Sequence, residues 1–167
     1  MKRRQLIIMR HATANPGDGR DHARTLTSRG QDEAHKVGLS LRSQGPIPER
    51  VLCSSAIRCR ETWQAVSAGL GSDVLADFED DLYNASPASL LQSLAGVVDD
   101  ECVLLLAHNP GVSVLALELA GRDEESVTRL RSGFAPAAIA CFEIEGSWSL
   151  VSSASARLTR FERTSGD

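Results

Sequence analysis

No apolar run in this sequence approaches the roughly 20 residues that a membrane-spanning helix needs. Runs such as Leu6 to Met9 and Cys102 to Ala107 have the length of strands. The opening Met-Lys-Arg-Arg-Gln leads into a stretch too short for a secretory signal, so the expectation is a cytoplasmic protein with no membrane partner. A basic excess is also missing: 18 Lys and Arg stand against 22 Asp and Glu, a formal net charge of −4. That balance argues against gross nucleic-acid binding. Lysine occurs only at Lys2 and Lys36. Cys53, Cys59, Cys102 and Cys141 show no C-x-x-C spacing, and three of them fall inside apolar runs. Buried free thiols are expected there, rather than metal ligands or disulfides. Repeats, linkers and low-complexity segments are absent from the sequence. What remains, 167 residues that are 42% hydrophobic and 24% charged, is expected to form one globular domain over 1–167 that needs no covalent staples.

Three short continuous apolar runs, Leu6 to Met9, Val51 to Cys53 and Cys102 to Ala107, read as central parallel strands, apolar on both faces. Segments of helical period separate them. Ala34, Val37 and Leu41 share one face of a first helix, with Ser28 and Gln31 as its expected capping box. A second helix follows Ser55, with Cys59, Trp63, Val66 and Leu70 as its apolar stripe and Arg58 and Thr62 on another face. Ser86 and Pro87 open a third, and a fourth runs from Asn109-Pro110 to the stop at Gly121. Ala138 to Ile144 and Trp148 to Ser153 read as an antiparallel hairpin turning at Glu145-Gly146-Ser147. The pattern predicts an α/β fold, a three-layer α/β/α sandwich with a mostly parallel, doubly wound central sheet and a C-terminal antiparallel hairpin at its edge.

The chemistry stands at the carboxyl ends of the three central strands. The first is followed at once by Arg10-His11, the second by Ser54-Ser55 with Arg58 close behind, the third by His108-Asn109-Pro110. In an open parallel sheet those ends share one edge, where ligands bind. Two imidazoles, two guanidinium forks and two helix amino ends would meet in one crevice, a setting for phosphate oxygens. A neutral imidazole there is a nucleophile toward phosphorus, with cations relieving charge on the equatorial oxygens. His22 and His35 lack this setting and are expected outside the site. The long stretch from His11 to Thr27, with Arg20, Asp21 and Arg24, is placed to roof the crevice in part.

The same residues carry a resemblance. Arg10-His11-Ala12 after a strand, Leu26-Thr27-Ser28-Arg29-Gly30, Ser54-Ser55-Ala56-Ile57-Arg58 with Thr62, Leu82-Tyr83, and His108-Asn109-Pro110-Gly111 resemble the histidine phosphatase superfamily, the phosphoglycerate mutase-like fold. Within it, the chain is most similar to the short SixA-type phosphohistidine phosphatases, over roughly residues 5 to 155. The resemblance implies a metal-independent phosphatase without cofactor. In it His11 becomes phosphorylated, Arg10 and Arg58 clamp the phosphoryl oxygens and His108 completes the pocket. Arg24 and Asn109 are further candidates for substrate contact. Protein phosphohistidine is the expected substrate and partner.

Relatives that act on phosphate esters carry a carboxylic acid that protonates the leaving oxygen; Glu79, Asp80 and Asp81 are the candidates here, against the alternative of a solvated acidic turn. Three other readings stay open. The chain is a small-molecule phosphomonoesterase or a phosphoglycerate mutase; or a non-catalytic phospho-ligand binding module; or a metallohydrolase built on His11, Asp21, His22 and His108, for which the sequence offers no H-x-x-x-H spacing.

Overall fold

A computed structural model describes residues 2–164; Met1 and residues 165–167 of the expected 1–167 domain lie outside the described residues. The chain runs β1 (Arg3–Arg10), α1 (Ser28–Gln44), β2 (Arg50–Ser54), α2 (Ile57–Leu70), β3 (Ala76–Glu79), α3 (Pro87–Ala95), β4 (Cys102–Ala107), α4 (Gly111–Ala120), α5 (Glu124–Arg131), β5 (Ile139–Glu145) and β6 (Ala156–Glu162). The strands form one sheet in the order β3-β2-β4-β1-β5-β6, with β3, β2, β4 and β1 mutually parallel and β5 antiparallel to both neighbours. This is the α/β sandwich that the alternation of strand and helix predicted.

Both faces of the central strands are buried, so alternate side chains enter two different cores. Leu6 and Ile8 of β1, with Val103 and Leu105 of β4, pack under α3, α4 and α5. Ile7 and Met9, with Leu104 and Leu106, pack under α1 and α2. The helices that follow β1 and β4 therefore leave to opposite faces, although β1 and β4 are neighbours. That divergence opens a crevice at the carboxyl ends of the two strands.

Four local expectations need correction or addition. The cap of α1 is Thr27, whose hydroxyl accepts from Gly30 N at 3.0 Å; Ser28 is already helical, so no Ser28–Gln31 box forms. The strand that pairs with β5 is Ala156–Glu162 rather than Trp148–Ser153. Trp148 buries its indole and donates Nε1–H to Asp100 O at 2.8 Å, which holds Trp148–Leu150 in a 3-10 turn. Strand β3 and helix α5 were not predicted: β3 is four mostly exposed residues and α5 is eight mostly polar ones. The four cysteines are free and buried, and burial pushes the Cys102 and Cys141 thiols up to about 12.

Helices α1 and α2 touch backbone to backbone. A Cβ on Gly38 would lie 2.1 Å from Val66 O, and one on Gly69 would lie 2.2 Å from His35 O. This contact sets how close α2, the carrier of Arg58, sits to the first strand and its loop. Gly38→Ala should destabilise the protein by roughly 1–3 kcal/mol through overpacking, although alanine is the better helix former by about 1 kcal/mol. Urea denaturation checks this, and an unchanged or higher midpoint would show that the helices have slack.

Candidate active site

The crevice collects what the strand ends carry. His11 follows β1 directly: its N–H donates to Ala107 O at 3.1 Å and its C=O accepts from Ala137 N at 3.1 Å. His108 follows β4, and the two imidazole centroids lie 5.3 Å apart. Arg58 enters from the first turn of α2 and is 4% exposed. Its Nε donates to His11 Nε2 at 3.3 Å and its Nη2 to His108 Nδ1 at 3.2 Å, so the guanidinium bridges the two rings. Thr62, one turn along α2, donates to Arg58 O at 2.6 Å and accepts from Ala12 N at 3.0 Å, tying helix to strand end.

These partners assign both imidazole tautomers. His11 Nδ1 lies 2.8 Å from Ala12 O and must carry the proton, which leaves the Nε2 lone pair facing the crevice. His108 receives Arg58 at Nδ1, so its Nε2 carries the proton and donates to Ser54 Oγ at 2.7 Å. Burial holds His11 down at about 3, with the positive charge of Arg58 and Arg10 acting in the same direction against the bond to Ala12. His11 is thus neutral in the physiological range, with a lone pair of the kind a nucleophile needs.

Arg10, the last residue of β1, donates Nη1–H to Phe134 O at 3.1 Å, and Asn109 Nδ2 donates to the same carbonyl at 2.9 Å. The buried Nε of Arg10 has no hydrogen-bond partner among the described residues. Asn109 therefore reaches the site by bracing a partner of Arg10. Arg24 reaches it through Asp21, with its Nη1 3.1 Å from Asp21 Oδ1 and its Nε donating to Asn15 O at 2.6 Å. Of the expected roof, Asp21 and Arg24 lie over the crevice, while Arg20 pairs with Asp18 on the surface. His35 is exposed on α1, as expected. His22 is not a bystander: its Nε2 lies 2.9 Å from Ser55 Oγ and its ring meets Tyr83 edge-on at 5.0 Å.

The acidic run resolves into separate tasks. Glu79 accepts from Ser93 Oγ at 2.6 Å, and Asp80 and Asp81 are exposed in a 3-10 turn. Among the described residues none of the three carboxylates bonds to His11, Arg58 or His108. Among the described residues no group of three His, Cys, Asp or Glu is set to hold an ion. A guanidinium stands where the ion would, between His11, Asp21 and His108.

Sequence reasoning missed Ser54 as the partner of His108, the Phe134 carbonyl, and Ala137, which adopts a left-handed φ of 62° beside His11. Ser54 and the chain's single tyrosine, Tyr83, did carry a signal, because each stands in one of the resembling motifs.

Residues 6–84 match the model of the histidine phosphatase superfamily, branch 1. The phosphohistidine phosphatase SixA of Escherichia coli (strain K12) is 30% identical over 118 residues, covering 69% of this chain and 73% of that protein. A solved structure from Nakamurella multipartitia that carries the SixA name matches with a TM-score of 0.87 and 31% identity, over 98% of this chain and 97% of that one. The structure of the protein histidine phosphatase SixA complexed with tungstate matches with a TM-score of 0.77 and 25% identity, over 94% and 95%. The chain belongs to the histidine phosphatase superfamily. Within it the structural neighbours are SixA proteins, and the activity they support is that of a phosphatase.

The orphaned guanidinium N–H of Arg10, the residue before His11, calls for an oxyanion. Tungstate at about 100 times its dissociation constant should add about 2.7 kcal/mol to stability. Arg10→Ala should lose most of the rise in melting temperature, and no rise in the wild type would count against the pocket.

The low value of His11 also has a stability consequence. Below about pH 6.5 the unfolded chain protonates this residue while the native state, with its value near 3, does not. The native state therefore loses up to about 1.4 kcal/mol per pH unit on acidification across that window. In His11→Asn the difference in unfolding free energy between pH 7 and pH 4.5 should shrink, whereas equal slopes would show that His11 titrates normally.

Proposed function

We propose that this protein is a metal-independent phosphatase that works through a phosphorylated His11, with protein phosphohistidine as its substrate. The observation that carries the reading is the orientation of His11, whose Nδ1 is fixed on Ala12 O while Nε2 points its lone pair at the Arg58 fork. In the first step Nε2 attacks phosphorus in line, the bond from phosphorus to the leaving nitrogen breaks, and the leaving imidazole keeps that electron pair. Arg10, Arg58 and His108 stabilise the equatorial oxygens. In the second step water attacks the phosphoryl group on His11, phosphate departs and the Nε2 lone pair is restored.

The substrate class follows from proton supply. Expulsion of an alkoxide needs an acid beside it, whereas an imidazole protonated on its far nitrogen leaves as a neutral molecule. Glu79, Asp80 and Asp81 are engaged or turned to solvent. Asp21, next to Arg58, is held well below the usual carboxylate range by the Tyr83 hydroxyl and by Arg24, and so has no proton to give. SixA of Escherichia coli is named for phosphohistidine, which supports the same choice. A phosphoprotein partner and a cytoplasmic setting, in keeping with four free thiols, belong to this proposal.

Mixing the protein with phosphohistidine peptide and quenching in base should trap one phosphoryl group on His11, visible by mass spectrometry as an acid-labile, alkali-stable adduct. His11→Ala should show neither adduct nor turnover. A phosphate on another residue, or an active His11→Ala protein, would refute the mechanism. A sugar phosphate or phosphoglycerate with the higher kcat/KM would refute the substrate class, and tight binding without turnover would mark a phospho-ligand module.

A further inference from the structure

A guanidinium offers two bidentate edges, the side-on pair Nε and Nη2 and the end-on pair Nη1 and Nη2, and when buried it must find acceptors for both. In Arg58 the side-on edge faces the imidazoles, at 3.3 Å from His11 Nε2 and 3.2 Å from His108 Nδ1. A single residue takes the end-on edge: Asp21 accepts from Nη1 through its own backbone carbonyl at 2.7 Å and from Nη2 through Oδ2 at 3.1 Å. Asp21 is itself seated from two sides. The Tyr83 hydroxyl donates to the same Oδ2, and Arg24 Nη1 lies 3.1 Å from Oδ1. The Tyr83 ring also lies edge-on to His108, with its centroid 5.9 Å from the Arg58 guanidinium carbon.

We propose that Asp21, seated by Tyr83 and Arg24, is a positioning residue for the phosphoryl site: it clamps the end-on edge of Arg58 so that the side-on edge stays turned to the gap between His11 and His108. The proposal rests on the phosphatase reading above and adds to it the residue that aims its main cationic donor. Because the two edges are distinct, a phosphoryl group on the side-on edge leaves Asp21 in place. Without the carboxylate, the end-on edge keeps only the backbone carbonyl of Asp21 at Nη1, so the guanidinium is held less firmly and its side-on edge is less well aimed. The charge of Asp21 persists at working pH, since its carboxyl lies well below the usual range. It also offsets one of the positive charges gathered beside neutral His11.

Two measurements test the clamp, one independent of catalysis. In 15N–1H spectra of the wild type, with Arg58 assigned by its loss in Arg58→Lys, the Nη protons should be resolved because rotation about the Cζ–Nη bonds is hindered. Asp21→Ala should speed that rotation at Nη2, which loses its carboxylate acceptor, broadening or averaging that pair while the Nε–H signal stays visible. In hydrolysis of phosphohistidine peptide, Asp21→Ala should lower kcat between about tenfold and a hundredfold, the scale of loss for a misplaced donor, with a smaller change in KM. Asp21→Asn, which keeps one acceptor oxygen, should recover part of that loss, and Tyr83→Phe should cost less than Asp21→Ala. In an Arg58→Ala background, Asp21→Ala should have no further effect. Averaged Nη protons in the wild type would overturn the clamp, as would independent, multiplying losses in the double variant. A gain in kcat in Asp21→Ala would show instead that Asp21 blocks the fork. If no phosphorylated substrate turns over while the Nη protons respond as expected, the phosphatase reading falls and the clamp stands.

Discussion

The buried charge of Arg58 is the constraint to which the rest of the site answers. A guanidinium out of water is costly unless every donor has a partner, and its partners here come from the end of β1, the end of β4 and the loop between β1 and α1. None of them is near Arg58 in sequence. The amino end of α2 must therefore approach both strand ends, and the loop must fold back over them. Thr62 fastens the first of these approaches by bonding both Arg58 O and Ala12 N. Glu61, its neighbour, fastens the second by accepting from Leu26 N at 2.6 Å.

The two histidines show how surroundings divide identical side chains into different tasks. Each ring has one nitrogen pinned away from Arg58, His11 by a backbone carbonyl and His108 by a serine hydroxyl. Each therefore turns an unprotonated nitrogen toward the guanidinium between them. His11 stands at a strand end in a desolvated setting that keeps it neutral, which is what attack on phosphorus requires. The loop holding Phe134 and Ala137 closes the remaining side, where one carbonyl serves both Arg10 and Asn109.

The carboxylates bear on which leaving group the proposed reaction suits. A family fold supplies the nucleophile and the clamp, but proton delivery depends on where individual acids fall. In this chain the acidic run that begins at the last residue of β3 is engaged by Ser93 or turned to solvent, and the carboxylate nearest the guanidinium is bound as an anion. An arrangement of this kind suits a phosphoramidate, whose departing nitrogen brings its own means of leaving.

Much of this was legible in the residue order. Continuous apolar runs marked β1, β2 and β4 because strands buried on both faces have no polar side to show. Arg10, His11, Arg58 and His108 could be placed in one crevice because parallel strand ends share an edge and helices leave from them. Local propensity was a weaker guide wherever burial decided the outcome: Trp148 reads as strand, yet its indole fills the core and donates to Asp100, so the pairing strand begins at Ala156 instead. Strand β3 and helix α5 carry too few apolar residues to announce themselves. The sequence alone determined the strand–helix alternation and the reactive groups at its junctions, since both depend on residues adjacent in the chain. Only the tertiary structure decided which edge of Arg58 faces the imidazoles, which nitrogen of each ring is free and that Asp21 and Tyr83 belong to the site. Those are contacts between residues up to 62 positions apart, and no local pattern encodes them.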